Sequence, residues 1–293
     1  MDKISVTGLD LAKNVFQLHG IDADGEVVVS KQLKRSQVRQ FFANLEPCLI
    51  GMEACGGAHY WSRELTRLGH SVRMMAPAFV KPYLKSNKND RNDAEAICEA
   101  VQRPSMRFVA AKTLEQQSVL HLHHTRRLLV RQRVALSNHM RGVLSEYGIV
   151  LPQGVKVISR RLPELLEDAD NDLPMLTRHL LAELKAEHDQ LMERVDRFEQ
   201  QLKAWHASNP VSQRLASIPG IGVLTATALA ATVGEGQDFR NGRQLAAYLG
   251  LVPRQASSGG KERLLGISKR GDGYLRGLLI HGARAVIHHI RRR

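Results

Sequence analysis

The stretch that decides the fold of the first third of the chain is residues 4–33, ISVTGLDLAKNVFQLHGIDADGEVVVSKQL. Three segments in it are strand-like, namely ISVTGLDLAK, VFQLHGID and EVVVSKQL, and the turn ADG separates the last two. Segments joined this closely pair as neighbours, so the stretch predicts a three-stranded antiparallel meander. One acid, Asp10, lies in the first strand among apolar residues, where a buried carboxylate needs a partner.

The next segments alternate between helix and strand. SQVRQFFANL predicts a helix that begins on a serine cap, and HYWSRELTRLG predicts one that Gly69 ends. CLIGMEA and HSVRMMAP are short buried-strand patterns, and AEAICEAV predicts a third helix. The resulting order, β-β-β-α-β-α-β-α, is that of the ribonuclease H-like fold. We therefore predict an α/β domain over residues 1–110.

A helical middle region is predicted over residues 111–207. The segment between Glu115 and Glu146 contains no acid, and its arginines predict a basic face for nucleic acid: Arg126, Arg127, Arg131 and Arg133. Apolar residues recur every three or four positions over 176–205, which predicts a coiled-coil seam, from Leu176 and Leu180 onward, interrupted at His188. A helical hairpin packed within one chain explains this pattern equally well.

The last region, residues 208–293, is predicted to be largely helical and to form a third domain. Its IPGIG stretch resembles the turn of helix-hairpin-helix modules, whose backbone amides, here at Gly220 and Gly222, would meet phosphate without reading sequence. A plain tight turn is an equally good explanation. An irregular glycine and serine loop follows, and a final helix begins at about Gly273.

Charge and composition narrow the class of partner. The 293 residues include 42 Lys and Arg against 29 Asp and Glu, a net charge of +13, which suits a polyanion such as nucleic acid. The N-terminus MDKISVTGLDLAK has no apolar signal core, so no membrane partner is expected. Three cysteines without CxxC spacing indicate neither a disulfide framework nor a zinc site. We expect a cytoplasmic protein.

Four acids could meet in the predicted first domain. The first and fourth strands of a ribonuclease H-like sheet are adjacent, so Asp10 and Glu53 would face one another, and Asp90 and Asp93 of KNDRNDAEAI would complete the group. Each acid alone has an ordinary explanation: Asp93 as a helix cap, Glu53 as a helix-start residue, and Asp10 as a turn neighbour. Together they would repel one another, and bound cations would relieve that repulsion. We therefore predict Mg²⁺, in two ions, as cofactor.

Basic residues accompany both candidate sites. Lys85, Lys88 and Arg91 flank the last two acids and are expected to guide phosphate. Near the C-terminus, Ser257, Ser258 and Gly259 precede a set of cations that could neutralise phosphate: Lys261, Arg263, Lys269, Arg270 and Arg276. A serine there could attack phosphorus and form a covalent link to DNA. The alternative is a flexible surface loop that only touches the DNA backbone.

Four blocks of sequence, taken in order, resemble the motifs of one family. They are GLDLAK, GMEACGGAHYW, KNDRNDAEAI, and GLVPRQASSGG with ISKRGDGYLR. The family is that of the DEDD transposases of insertion sequence 110, which are related to Piv-type site-specific invertases. The resemblance covers nearly the whole chain.

The resemblance implies a division of chemical roles. The first domain would be RuvC-like, with Asp10, Glu53, Asp90 and Asp93 as its Mg²⁺-binding tetrad. The last domain would carry a nucleophilic serine immediately before glycine and five residues after the proline of the GLxP block, which is Ser258, with Ser257 as the alternative. Members also extend several tens of residues beyond the helix that ends here in HHIRRR, so we expect a further helical segment to be missing.

The resemblance also implies partners. They are donor and target DNA, a noncoding bridge RNA whose loops pair with both, and further copies of the chain, as a dimer or as a tetramer on DNA. The active site would combine a RuvC-like domain of one subunit with a transposase domain of another. We thus expect an insertion-sequence transposase that is nucleoid-associated when acting. The alternatives are a RuvC-like structure-specific nuclease, a Piv-type invertase, and a decayed copy that binds nucleic acid without catalysis.

Overall fold

The computed structural model describes residues 3–85 and 89–292, except the side chain of Val155. The chain divides into two compact units, Met1–Lys112 and Thr113–Arg293. The predicted division into three domains, with boundaries at residues 110 and 207, stays a prediction. No helix in the described part of the chain is long and apolar enough to span a bilayer.

The N-terminal unit alternates strands and helices. In chain order its elements are β1 (Val6–Asp10), β2 (Val15–Ile21), β3 (Val27–Lys34), α1 (Arg35–Ala43), β4 (Leu49–Glu53), α2 (Ala58–Arg67), β5 (Ser71–Met75), α3 (Pro77–Val80), a 3-10 turn (Lys81–Tyr83), α4 (Asp90–Val101) and β6 (Phe108–Val109).

The strands form one mixed sheet in the order β3-β2-β1-β4-β5-β6. β1, β2 and β3 form the predicted antiparallel meander, and β1 pairs parallel with β4, which pairs parallel with β5. The predicted strand-and-helix order and the adjacency of the first and fourth strands are therefore confirmed. The two-residue strand β6 pairs antiparallel with β5 and was not predicted, since so short a segment has no periodicity.

Helices cover both faces of this sheet. One core joins the strands to α1 and α2 through Phe16, Ile50, Phe42 and Trp61, and a second core lies under α4 around Ile97. The predicted serine cap of α1 is wrong, because the helix begins at Arg35 and its N-cap is Lys34. The backbone N–H of Lys34 donates to the side chain of Gln37 at 2.9 Å, so a glutamine completes this helix start.

The C-terminal unit is helical apart from one small hairpin. Its elements are α5 (Leu114–Ser145), α6 (Val155–Glu167), α7 (Met175–Ser208), α8 (Pro210–Ala216), α9 (Val223–Val233), α10 (Gly242–Tyr248), β7 (Pro253–Gln255), β8 (Leu264–Ile267) and α11 (Gly273–Ile290).

Helix α7 packs along α5 of the same chain. Its most buried positions are spaced by seven residues: Leu181, His188, Val195 and Leu202. The predicted interruption at His188 is wrong, since this side chain is fully buried within the seam. Leu176 and Leu180, which were predicted to belong to the seam, are 82% and 43% exposed. The arrangement is that of the helical-hairpin alternative, and pairing between chains stays a prediction.

One loop of this unit differs from its prediction, and a second is packed closely against a helix. The predicted irregular loop is a β-hairpin, in which β7 pairs antiparallel with β8. The turn between α8 and α9 contains Gly220 with a φ of 86°, and a Cβ atom there would lie 2.9 Å from the carbonyl oxygen of Gly282 in α11. This turn is therefore packed against a helix at Gly220, and phosphate binding by its amides stays a prediction.

Candidate active site

A repeated glycine-x-acid pattern ends two adjacent strands. β1 ends in GLD, residues 8–10, and β4 ends in GME, residues 51–53, with Gly8 paired opposite Gly51. Side chains alternate along a strand, so each acid lies on the same face as the glycine two residues before it. Helix α4 covers this face.

The two glycines allow α4 to lie directly on the strands. A Cβ atom on Gly8 would be 2.0 Å from the carbonyl oxygen of Ala94, and one on Gly51 would be 2.8 Å from the Cβ of Val101. Contacts this short do not occur between real atoms, so a larger residue would push the helix outward. The close approach brings the first turn of α4 to the carboxyl end of β1.

The first turn of α4 supplies two more acids. Asn89 is the N-cap, and its side chain accepts a hydrogen bond from the backbone N–H of Asn92 at 2.9 Å. Asp90 and Asp93 follow within the helix, so the interpretation of Asp93 as the cap is wrong. Because the cap position is filled by Asn89, the capping role does not account for either aspartate.

Three of the four predicted acids come together. Asp10, Asp90 and Asp93 each offer a carboxylate oxygen, and these oxygens lie within 4.8 Å of one another. Asp90 is exposed, whereas Asp10 and Asp93 are half-buried. Carboxylates at this separation repel one another unless a cation or proton lies between them.

The donor set fits a hard divalent cation. Among the described residues, the group contains carboxylates alone, with no histidine or cysteine. Carboxylate oxygens are the protein ligands that Mg²⁺ prefers, whereas zinc sites usually contain nitrogen or sulfur. The chemistry of these residues therefore matches a Mg²⁺-type site better than a zinc site.

Glu53 lies beside this group without belonging to it. It ends β4, the strand next to β1, and it is outside the three-carboxylate group formed by described residues. Glu53 and Asp10 both act on the thiol of Cys55. Partial burial raises the pKa of this thiol, and the carboxylates of Glu53 and Asp10 raise it further. Both acids are therefore close to one thiol at this end of the sheet.

The predicted phosphate guides near the acids differ in their surroundings. Lys85 pairs with Glu95 at 3.3 Å, and both side chains are partly exposed. Arg91 is exposed in the first turn of α4. Lys88 lies outside the described residues.

Two polar residues on the same face of the sheet were missed from the sequence. Gln17 pairs across from Asp10, and His19 pairs across from Gly8, and both are buried on β2. Burial lowers the pKa of His19, and the charges of Arg91 and Lys85 lower it further, whereas Glu95 raises it. The signal was available, because these polar residues alternate with Phe16 and Leu18 along an otherwise apolar strand.

The predicted serine loop forms the tip of the β7–β8 hairpin. The backbone N–H of Lys261 donates to the carbonyl oxygen of Ser258 at 3.0 Å, which closes a four-residue turn. The two central residues, Gly259 and Gly260, have φ values of 56° and 75°. Positive φ at both central positions is the pattern of a type I′ turn, which requires glycine-like freedom.

The two serines have different environments. The hydroxyl of Ser257 accepts hydrogen bonds from the backbone N–H of Arg263 at 3.1 Å and from the side-chain amide of Gln255 at 3.0 Å. The Ser257 side chain therefore ties the two strands of the hairpin together. Ser258 is exposed and takes part in the turn through its backbone.

The cations around this hairpin fall into two kinds. Four are exposed: Lys261, Arg263, Lys269 and Arg270. Arg276 instead donates to the carbonyl oxygens of Leu249 at 3.1 Å and Gly271 at 3.2 Å. Its guanidinium joins the end of α10 to the start of α11, so Arg276 has a structural role in addition to any predicted contact with nucleic acid.

The arginines of α5 also divide by environment. Arg126 pairs with Glu199 of α7, with its Nε 2.8 Å from the carboxylate. Arg127 lies over the ring of Tyr274 at 5.5 Å, and Arg131 is exposed. The Nε of Arg133 is buried and has no hydrogen-bond partner among the described residues. Arg126 in particular is engaged inside the protein, whereas Arg131 is available at the surface.

A buried histidine joins three helices of the C-terminal unit. The hydroxyl of Thr227 donates to the carbonyl oxygen of Val223 at 2.8 Å, so it accepts from Nε2 of His123 at 3.0 Å. The other ring nitrogen, Nδ1, then accepts from the hydroxyl of Tyr274 at 2.9 Å. Burial, followed by the charge of Arg126, lowers the pKa of His123 to about 4.

Strand order and acid group together define a class of protein. A mixed sheet of this order, with a carboxylate group where β1 meets α4, is consistent with a ribonuclease H-like transposase domain. Residues 7–149 match the family model of the DEDD transposase of insertion sequence IS110, and residues 212–293 match the model described as "Transposase IS116/IS110/IS902 family". The chain belongs to this family of insertion-sequence transposases.

Curated relatives agree with this family assignment. The chain is 53% identical over 285 residues to a probable family 20 transposase of Pseudomonas aeruginosa, a match that covers 97% of this chain and 84% of the relative. It is 47% identical over 291 residues to the transposase for insertion sequence element IS1111A of Coxiella burnetii, covering 99% and 80%. It is 44% identical over 289 residues to the transposase for IS1328 of Yersinia enterocolitica, covering 98% and 85%.

Proposed function

We propose that this transposase cuts and rejoins DNA by Mg²⁺-dependent phosphoryl transfer, with Ser258 as the nucleophile and a noncoding bridge RNA as the guide. The observation that carries the proposal is the convergence of Asp10, Asp90 and Asp93, whose carboxylate oxygens lie within 4.8 Å of one another. Family membership supports DNA as the substrate. Glu53, at the end of the neighbouring strand, is the proposed fourth acid.

The acids are proposed to hold one or two Mg²⁺ ions. Bound Mg²⁺ would polarise the phosphoryl group and neutralise the charge that develops on the attacking and leaving oxygens. The remaining task of these side chains is to hold the ions in place, which the close contact of α4 with β1 and β4 makes possible. Lys85, Lys88 and Arg91 are proposed to bind neighbouring phosphates.

Ser258 is proposed to attack the phosphorus atom. The hydroxyl of Ser258 loses its proton as its oxygen bonds to phosphorus, the bond between phosphorus and the deoxyribose oxygen of the leaving strand breaks, and that oxygen takes up a proton. Reversal with a different strand as acceptor rejoins the DNA. Exposure of Ser258 at the tip of a glycine turn supports this role, because both the phosphate and its neighbours need room.

The exposed cations of the hairpin support the same proposal. Lys261, Arg263, Lys269 and Arg270 can neutralise DNA phosphates on either side of the attacked one. Arg131 of α5, which is exposed, is proposed to contact the bridge RNA. Further copies of the chain are proposed to join it in a dimer or tetramer.

The test is a comparison of two adjacent serine variants. Ser258→Ala is expected to abolish covalent protein–DNA adducts on denaturing gels in the presence of Mg²⁺. Ser257→Ala is the matched control and is expected to retain adducts, at a reduced level because the hydroxyl that ties the hairpin is lost. Adducts that persist in Ser258→Ala and vanish in Ser257→Ala would move the nucleophile by one residue.

Two other functions are distinguished by the same assay. In a RuvC-like nuclease, water attacks and Ser258 only binds, so DNA ends would be free of protein. A copy that has lost catalysis would bind DNA and RNA in a salt-sensitive way and show no Mg²⁺-dependent cleavage. Sequencing of the RNA that copurifies with the protein tests the guide, and finding no RNA from the flanks of the element would reject it.

A further inference from the structure

A basic cavity opens between α1 and α2 of the N-terminal unit. It has a volume of about 650 Å³, and its main lining residues are Asn14, Lys34, Arg35, Arg39, Tyr60 and Trp61. Strand register places it near the acids: Lys34 pairs with Val15, which starts β2, and Gln17 of the same strand pairs with Asp10. The cavity therefore lies at the same end of the sheet as the acid group, on the face opposite α4.

The cations of this cavity are exposed and lack acidic partners. Among the residues that the structure describes, no carboxylate forms an ion pair with Lys34, Arg35 or Arg39. The first turn of α1 begins here and contains no acidic residue, so the helix dipole favours an anion at this position. Its backbone N–H groups are partly used within the protein, since Lys34 donates to the side chain of Gln37 and Arg35 donates to the carbonyl oxygen of Asn14.

Aromatic rings form the other wall. Tyr60 is 45% exposed and packs edge-to-face on Trp61, with ring centroids 5.2 Å apart. The guanidinium of Arg35 lies 5.3 Å from the ring centre of Trp61. Trp61 is 4% exposed, and its buried indole N–H has no acceptor among the described residues.

Solvation alone does not account for this combination. Exposed lysines and arginines commonly form a hydrated surface, but here they line the same cavity as the exposed ring of Tyr60. This combination favours a ligand with both a flat face and acceptor atoms. Nucleotides in a single strand offer both, because their bases are free to stack and their phosphates carry oxygen acceptors.

We infer that this cavity binds a single-stranded polynucleotide segment at the end of the sheet where the acid group lies. Lys34 and Arg39 bind phosphate, and Tyr60 stacks on a base. The inference rests on the proposed function only in that the acids at this end of the sheet act on nucleic acid. It adds a strand-binding site that is separate from the cations flanking Asp90 and Asp93.

The test measures binding of a short fluorescein-labelled oligonucleotide by anisotropy in EDTA, so that no cleavage occurs. Lys34→Ala with Arg39→Ala is expected to weaken binding about tenfold and to make the plot of log K against log salt less steep by about 1.4, which is the loss of two phosphate contacts. Tyr60→Ala is expected to weaken binding at least about fivefold with an unchanged slope, and Tyr60→Phe to restore it.

The matched control removes the same charge at the other end of the sheet. Lys3 and Arg67 are exposed and pair with Glu46 and Glu64. Lys3→Ala with Arg67→Ala is expected to leave both affinity and salt slope close to those of the wild type. Crosslinking of the wild-type protein to an oligonucleotide carrying 5-iodouracil, mapped by mass spectrometry, is expected to label Tyr60 and does not depend on any variant folding correctly.

Three results would overturn the inference. The first is that the cavity variants match the control variant in affinity and in salt slope. The second is that crosslinks form elsewhere but not at Tyr60. The third is that Tyr60→Ala weakens the binding of duplex DNA, whose bases are already stacked, as much as that of a single strand. Parallel titrations with RNA and DNA of the same sequence show which of the two is the natural ligand, because the variants should weaken its binding more. Failure of the proposed function would give a different result. DNA cleavage would then survive in Asp10→Asn, whereas oligonucleotide binding in EDTA would be unchanged.

Discussion

The thiol of Cys55 reports the charge of the neighbouring acids. Its pKa is raised by burial and by Glu53 and Asp10, so Asp10→Asn should lower that pKa and increase the thiolate fraction near neutral pH. We expect alkylation of Cys55 to become about two- to fivefold faster. Cys48 and Cys98 are buried, and burial raises the pKa of Cys98 to about 12, so both should react slowly.

The control for this experiment is Asp24→Asn, which removes the same charge from an exposed turn between β2 and β3. It should leave the rate unchanged. Equal rates in the wild type and in Asp10→Asn would contradict the placement of Asp10 beside Cys55.

Single residues also show how far sequence reasoning reaches. The positions of Asp10 and Glu53 at strand ends follow from local pattern and strand order, so both could be predicted. The pairing of Arg126 with Glu199 could not, because 73 positions separate the two residues in the chain. Asn89, rather than the predicted Asp93, is the cap of α4, because the helix begins four residues earlier than predicted. Periodicity does not determine where a helix begins.

Contact between α4 and the sheet depends on glycine. Gly8→Ala should force the helix away from β1, and overpacking of this kind costs roughly 1–3 kcal/mol of unfolding free energy. Gly56→Ala is the matched control, because a Cβ atom there meets nothing within 4 Å. Urea denaturation should show destabilisation for Gly8→Ala alone. Equal stability of the two variants would contradict the close packing of α4.

Helix packing in the C-terminal unit should be sensitive to acid through His123. Its pKa is lowered to about 4 in the folded state, whereas an unfolded histidine titrates near 6.5. The unfolded state therefore binds more protons as the pH falls below about 6.5, and the stability associated with neutral His123, complete above that pH, is lost progressively toward about pH 4.

His123→Gln tests this dependence. The variant should be less stable than the wild type at about pH 8, and the difference should shrink by about 2 kcal/mol at about pH 5, as measured by urea denaturation at both values. His121→Gln, an exposed position on the same helix, is the control. A stability difference that is constant with pH would contradict a neutral, buried His123.

Helices and strands show a similar mixture of success and failure in prediction. The order of the first sheet followed from periodicity, since its strands are long and apolar. The β7–β8 hairpin was missed because its strands have only three and four residues and are exposed except at Ile267. The seam of α7 was predicted to break at His188, but a histidine can occupy a buried seam position when other polar groups surround it, here Ser159 at 3.4 Å and Asp189 at 3.5 Å.

The chain as a unit combines a net charge of +13 with local acidity. The acids that converge near β1 and α4 form a negative site on a positively charged protein. Such a site is expected where a protein that binds phosphate also binds a metal ion. Composition predicted the polyanionic partner, and the family comparison supports DNA. The cavity beside α1 was not predicted, because its cations and rings come from separate elements.

The binding of divalent cations by Asp10, Asp90 and Asp93 is tested most directly by anomalous X-ray scattering from crystals soaked in Mn²⁺. We expect one or two anomalous peaks within coordinating distance of these three carboxylates, with Glu53 the next acid to be engaged, and loss of the peaks in Asp10→Asn. Crystals that contain Mn²⁺ at other sites but none among these carboxylates would contradict the metal centre, and with it the proposed mechanism.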